Sequence, residues 1–148
     1  DGVEAGGVRL AREIAEAVVA RPSLKRISMV GNSLGGLYSR YAAAVLHSPD
    51  TNTIAGLEPE CFLTTATPHL GVRSYTYLPI PPPLQGLAGV FVGRTGDDLF
   101  MQEGKATGEP ALLEQMATHT QFLGALSTFK RRRAYANLEG DFLVPFGT

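Results

Sequence analysis

The pentapeptide Gly31-Asn32-Ser33-Leu34-Gly35 constrains this chain more than any other stretch. It fits the pattern G-x-S-x-G. It follows a short apolar run, Ile27-Ser28-Met29-Val30, that reads as a buried strand. It opens a second run in which Leu34, Leu37, Tyr38, Tyr41, Ala42, Val45 and Leu46 recur at helical spacing up to Pro49-Asp50. The hydrophobic period thus switches from strand to helix across the serine itself. Such a tight strand-to-helix turn is a nucleophile elbow. A side chain at Gly31 or Gly35 is expected to collide with the neighbouring backbone. The turn lifts the Ser33 hydroxyl clear of the sheet edge. The helix N-terminus behind it offers unpaired N–H groups and a positive dipole end. The N–H of Leu34 is then the first oxyanion-hole donor.

The rest of the chain supports a parallel sheet with covering helices. Residues 3–20 read as an amphipathic helix with Leu10, Ile14, Ala17 and Val18 on one face, stopped by Arg21-Pro22-Ser23. Cys61–Thr67 reads as a second strand ended by Pro68. Residues 70–109 carry four prolines, seven glycines and unpatterned apolar clusters, and read as a lid-like insertion. A third helix is expected from Pro110 to about Phe129, and a third strand from Ala134 to Leu138. The alternation of helix and strand implies an α/β architecture, with a central mostly parallel sheet and helices on both faces.

Composition narrows the classes. Thirteen basic and fourteen acidic side chains leave a net charge of −1, which argues against a nucleic-acid partner held by a positive field. The basic run Lys130–Arg133 reads instead as cations at a helix C-terminus followed by the start of a strand. The single cysteine, Cys61, excludes an intrachain disulfide and a cysteine metal cluster, and its apolar strand makes it a buried structural thiol. No run approaches the ~18 apolar residues of a membrane span. No signal-peptide pattern opens the chain, which begins at Asp1 and not at Met.

Several blocks together resemble the lipase-like putative serine esterase family, a domain-of-unknown-function family of the α/β hydrolases. They are Asp1-Gly2 with Gly7–Ala11, the stretch Val30–Tyr41, Phe62–Gly71 with its Thr67-Pro68-His69-Leu70-Gly71 run, Gly93–Gly96 with Leu99-Phe100, and Phe129–Asn137 with Asp141. Asn32 stands where the family commonly has histidine. The resemblance implies an α/β-hydrolase fold, of which this chain is a partial segment in one domain. It implies a serine esterase that cleaves a carboxylic ester, here a lipid acyl ester. It implies no metal or cofactor, an ester or lipid substrate, and a lipid or peripheral membrane interface.

In that family the triad runs serine, acid, histidine, and Asp141 matches the acid. It also lies after the third strand, on the sheet edge where the elbow opens. Asp97 and Asp98 are rivals within the insertion. The triad histidine is expected to be absent from this chain. His47 stands fourteen residues beyond Ser33, roughly 20 Å along the elbow's helix. His119 falls mid-way along the third helix. His69 precedes Asp141, whereas the histidine of this order follows the acid. His69 is therefore expected to line the pocket or to bond the backbone. The isolated segment is expected to be inactive and to fold poorly. Two further readings stay open on sequence alone: a non-catalytic binding or scaffold protein that kept the elbow, and transfer of the acyl group to an acceptor other than water.

Overall fold

A computed structural model describes residues 2–72, 93–101, 108, 110–141, 144 and 148. Helix α1 spans Gly2–Ala20 and strand β1 spans Arg26–Asn32. Helix α2 follows at Leu34–Leu46, then a two-stranded antiparallel hairpin of β2 (His47–Ser48) and β3 (Thr53–Ile54). Strand β4 is Glu58–Thr65. Among the described residues, three shorter helices come next, α3 (Arg94–Leu99), α4 (Leu112–Thr118) and α5 (Thr120–Ser127), before β5 (Arg131–Tyr135). The main sheet has the order β1-β4-β5, and both pairings are parallel. This is an α/β layout with helices around a parallel sheet.

Residues of alternating character explain which face of β1 turns inward. Met29 and Gly31 are buried, while Ser28, Val30 and Asn32 are exposed, Val30 by 72%. The buried face joins a core that holds Leu37 of α2, Phe62 of β4, Phe122 of α5 and Phe129. Two ring pairs lock it: Phe62 with Phe129 edge-on at 5.4 Å, and Tyr41 with Phe122 at 5.7 Å. The expected cover on both sheet faces is not seen along β1 or β5 among the described residues, since every residue of β5 is exposed. Helices α1 and α2 pack closely because Gly6 and Gly7 leave room for rings. A methyl group there would stand 2.4 Å from the Tyr38 ring and 2.5 Å from the Tyr41 side chain. Burial on α1 concentrates at its start, at Val3 and Ala11, while Ile14 and Val18 are half-buried along a groove of about 700 Å³ beside β1.

Three expectations need correction. The expected helix over 110–129 is two helices, broken at His119, whose ψ of 138° is extended. The third strand begins at Arg131, three residues before its expected start at Ala134, and ends at Tyr135. Cys61 is half-buried, beside Ser28 and Arg131 in the sheet, rather than fully enclosed. Most of the expected lid, residues 73–92, 102–107 and 109, lies outside the described residues. Helix α3 sits against α1, and the buried Asp98 accepts the Val3 N–H at 2.5 Å, filling one of the donor positions that a helix start leaves open.

The basic run is spent locally. Arg132 donates to the carbonyls of Leu126, Ser127 and Phe129 at the end of α5. Lys130 pairs with Glu58 and Glu60, and Arg131 with Glu60, holding β5 against β4.

Candidate active site

Ser33 is the single residue between β1 and α2. Its φ of 50° and ψ of −128° lie outside the regions open to an unstrained L-residue, at a cost of about 1–3 kcal/mol. Three contacts impose this geometry. The Ser33 N–H is held by the Thr65 carbonyl at 2.9 Å, which continues the β1–β4 ladder up to the serine. The Gly36 N–H turns back to the Ser33 carbonyl at 3.1 Å and starts the helix. Beneath the turn, β1 and α2 touch at backbone distance: a methyl group on Gly31 would lie 2.4 Å from Gly36 Cα and 2.6 Å from Gly36 N. The half-buried Ser33 side chain makes no capping bond to its own helix. Leu34 is the first residue of α2, so its N–H has no acceptor within the helix.

The role expected of Gly35 falls elsewhere. A methyl group at Gly35 meets nothing within 4 Å. The crowded partner of Gly31 is Gly36, where an added methyl would stand 2.2 Å from Thr67 Oγ1. Gly36 therefore lets the loop after β4 lie directly on the start of the elbow helix.

That loop is tied to both neighbours. Ala66 adopts φ 46°, and its N–H reaches the Tyr135 carbonyl at the end of β5 at 2.8 Å. Asn32 Nδ2 donates to Thr65 Oγ1 at 2.8 Å. The ends of β1, β4 and β5 are in register at Asn32, Thr65 and Tyr135. Asp141 follows β5 in the chain. Its Oδ1 accepts the Val144 N–H at 2.9 Å and its Oδ2 accepts Asn137 Nδ2 at 2.8 Å, so the carboxylate is held from two sides. Strands β1 and β5 are two spacings apart, about 10 Å, and Asp141 comes six residues after the end of β5. The rivals differ. Asp98 is committed to α1, and Asp97 lies in the first turn of α3.

His69 is held by its partners. Arg40 Nη1 approaches its Nδ1 at 3.1 Å, and its Nε2 lies 2.9 Å from Thr64 Oγ1. Guanidinium can only donate, so Nδ1 accepts and Nε2 carries the proton toward Thr64. Burial, with the Arg40 charge beside it, lowers the pKa of His69 to about 4. The ring also borders a cleft of about 350 Å³ with Phe62, Leu126 and Ala134. His47 opens the hairpin at the far end of α2, with a buried Nε2 that has no partner among the described residues. His119 is exposed at the α4–α5 break.

The His69 environment sets a pH dependence of stability. The folded state keeps the ring neutral down to about pH 4, whereas the unfolded chain takes up the proton near 6.5. Stability is therefore expected to fall as pH drops from 6.5 to 4, and this contribution levels off below that. Urea midpoints across this window should show the decline in the wild type and a shallower one in His69→Gln.

The whole chain, residues 1–148, matches the putative serine esterase family (DUF676). The chain belongs to that family. Among its relatives, the putative lipase ROG1 of Saccharomyces cerevisiae is 34% identical over 99% of this chain and 21% of its own length. The putative lipase C4A8.10 of Schizosaccharomyces pombe is 33% identical over 86% of this chain and 16% of its own length. The putative lipase YDL109C of Saccharomyces cerevisiae is 30% identical over 97% of this chain and 21% of its own length. The chain thus spans about a fifth of the curated relatives it matches. No solved structure matches it.

Sequence reading missed Arg40 and Gly36. The doubled glycine after Leu34 was the available signal for the second, because two helix-weakening residues at a helix start need a steric reason. Arg40 gave a fainter one, as a charge on the buried stripe of α2.

Proposed function

We propose that this chain carries the nucleophile and acid of a serine hydrolase of the α/β-hydrolase fold, acting on a carboxylic ester with a lipid acyl group. The observation that carries the reading is the backbone of Ser33, a non-glycine residue in a strained conformation at a strand–helix junction closed by two glycines. Strain of this kind persists where the surroundings enforce it, and it presents the hydroxyl at the sheet edge.

Ser33 Oγ attacks the ester carbonyl carbon and forms a tetrahedral intermediate. Its oxyanion faces the Leu34 N–H, a preorganised donor worth ~3–4 kcal/mol in sites of this type. Collapse expels the alcohol and leaves an acyl-serine, which water then cleaves. A histidine takes the serine proton and returns it to the leaving alkoxide. We assign that histidine to none of the three in this chain: His69 has its acceptor nitrogen on Arg40, His47 lies at the far end of α2, and His119 precedes the acid. Asp141 holds the histidine's other nitrogen and balances its positive form, as the orienting acid of a triad does. An apolar substrate is favoured by Leu70, Tyr135 and Leu138, which stand 59–81% exposed in the loops and strand end of this same edge.

Asp141→Asn in the full-length protein is expected to lower kcat by about 10⁴ on a short-chain chromogenic ester, with the fold retained. Activity within tenfold of wild type would place the acid elsewhere, Asp97 first. Products analysed with competing alcohols separate hydrolysis from acyl transfer.

A further inference from the structure

Arg40 is 6% exposed, yet no carboxylate pairs with it among the described residues, and its Nε has no partner there. A guanidinium buried without a counter-charge is costly, so what it holds must be worth holding. It stands on α2 seven residues after Ser33, just under two turns or about 10 Å down the elbow helix. From there it reaches two other elements. Nη1 takes the ring nitrogen and the carbonyl of His69, in the loop after β4, at 3.1 and 3.3 Å. Nη2 takes the Met116 carbonyl at 2.7 Å, one of those that the end of α4 leaves unpaired. His69 in turn is pinned to β4 through Thr64. The same loop lies on Gly36 through Thr67 and hangs on the end of β5 through Ala66. Together with the end of β4, it touches both the turn at Ser33 and the strand leading to Asp141.

We infer that Arg40 is a positioning residue of the active site: through His69 it fixes the β4 loop, and through that loop the spacing between the Ser33 elbow and the Asp141 loop. This rests on the serine-hydrolase reading above. A catalytic group displaced by about 1 Å can lose 10²-fold in rate, so a remote residue that sets the spacing acts on kcat. It does not touch substrate, and KM should change little.

The test uses the full-length protein, with a fluorophosphonate to titrate reactive serines, so that kcat is expressed per competent site. Arg40→Lys keeps the charge but cannot fork to three acceptors. It is expected to lose 10- to 100-fold in kcat per titrated serine, with KM within threefold. A residue that only stabilised the fold would lower the number of titratable sites and leave kcat per site unchanged, and that result overturns the inference. Should Arg40→Lys not fold, a second pair decides. His69→Asn places an acceptor near the position of Nδ1, whereas His69→Gln places its polar group near Nε2. The asparagine variant is expected to keep at least fivefold more kcat per site than the glutamine variant. Equal losses in the two would overturn the role of the Arg40 contact. A folded wild type with no titratable serine would instead remove the serine reading, and this role with it.

Discussion

Ser33→Gly is expected to abolish turnover and, in the same protein, to raise stability. The two effects come from one residue. Removing a triad nucleophile costs on the order of 10⁶ in kcat. The backbone at φ 50° and ψ −128° costs a serine about 1–3 kcal/mol, which glycine does not incur. Glycine's greater freedom in the unfolded chain offsets roughly 0.5–1 kcal/mol of that gain. A net stabilisation of about 1 kcal/mol should remain, visible as a higher urea midpoint at unchanged slope. Ser33→Ala provides the contrast: equally inactive, without the gain. A glycine variant that keeps more than a few per cent of activity would show that Ser33 is not the nucleophile. An inactive variant of lower stability would show that the strain is absent in solution.

The second large effect separates three glycines of the elbow. Gly31→Ala is expected to unfold the protein or cost about 4 kcal/mol or more, beyond the usual range for overpacking. Its methyl group would enter the backbone of Gly36 at 2.4 Å, and backbone on both sides leaves nothing flexible to yield. Gly36→Ala meets the Thr67 side chain and should cost less, since a rotamer change relieves part of the clash. Gly35→Ala faces open space in the first turn of α2 and should stay within about 1 kcal/mol of wild type, on the stabilising side. Thermal melts of the three variants give the order directly. A Gly35→Ala variant as damaged as Gly31→Ala would contradict the elbow packing.

The strand–helix junction was legible because it joins two patterns. A short apolar strand run ending at Gly31 and helical spacing from Leu34 leave the junction at Asn32-Ser33, and β1 and α2 meet at Ser33. Which glycine does the steric work was not legible. Spacing in G-x-S-x-G marks Gly35, whereas contact with Thr67 selects Gly36, and that contact joins residues 31 apart. Strand β5 was placed three residues late for a physical reason. Apolar alternation reports burial, and Arg131–Tyr135 is exposed along its whole length, so its first three arginines looked like a helix end. The break at His119 has no glycine or proline to announce it. Asp141 could be placed after the last strand from order alone. The partners that hold its carboxylate, Asn137 and the Val144 N–H, required the folded loop.

One measurement bears most directly on the nucleophilic serine. The full-length folded protein is treated with a fluorophosphonate, digested, and its peptides are mapped by mass spectrometry. The expected result is a single adduct on Ser33, formed within minutes, absent from Ser33→Ala and slowed in Asp141→Asn. A folded protein that takes up no label, or one labelled at another serine while Ser33 stays bare, would contradict the account.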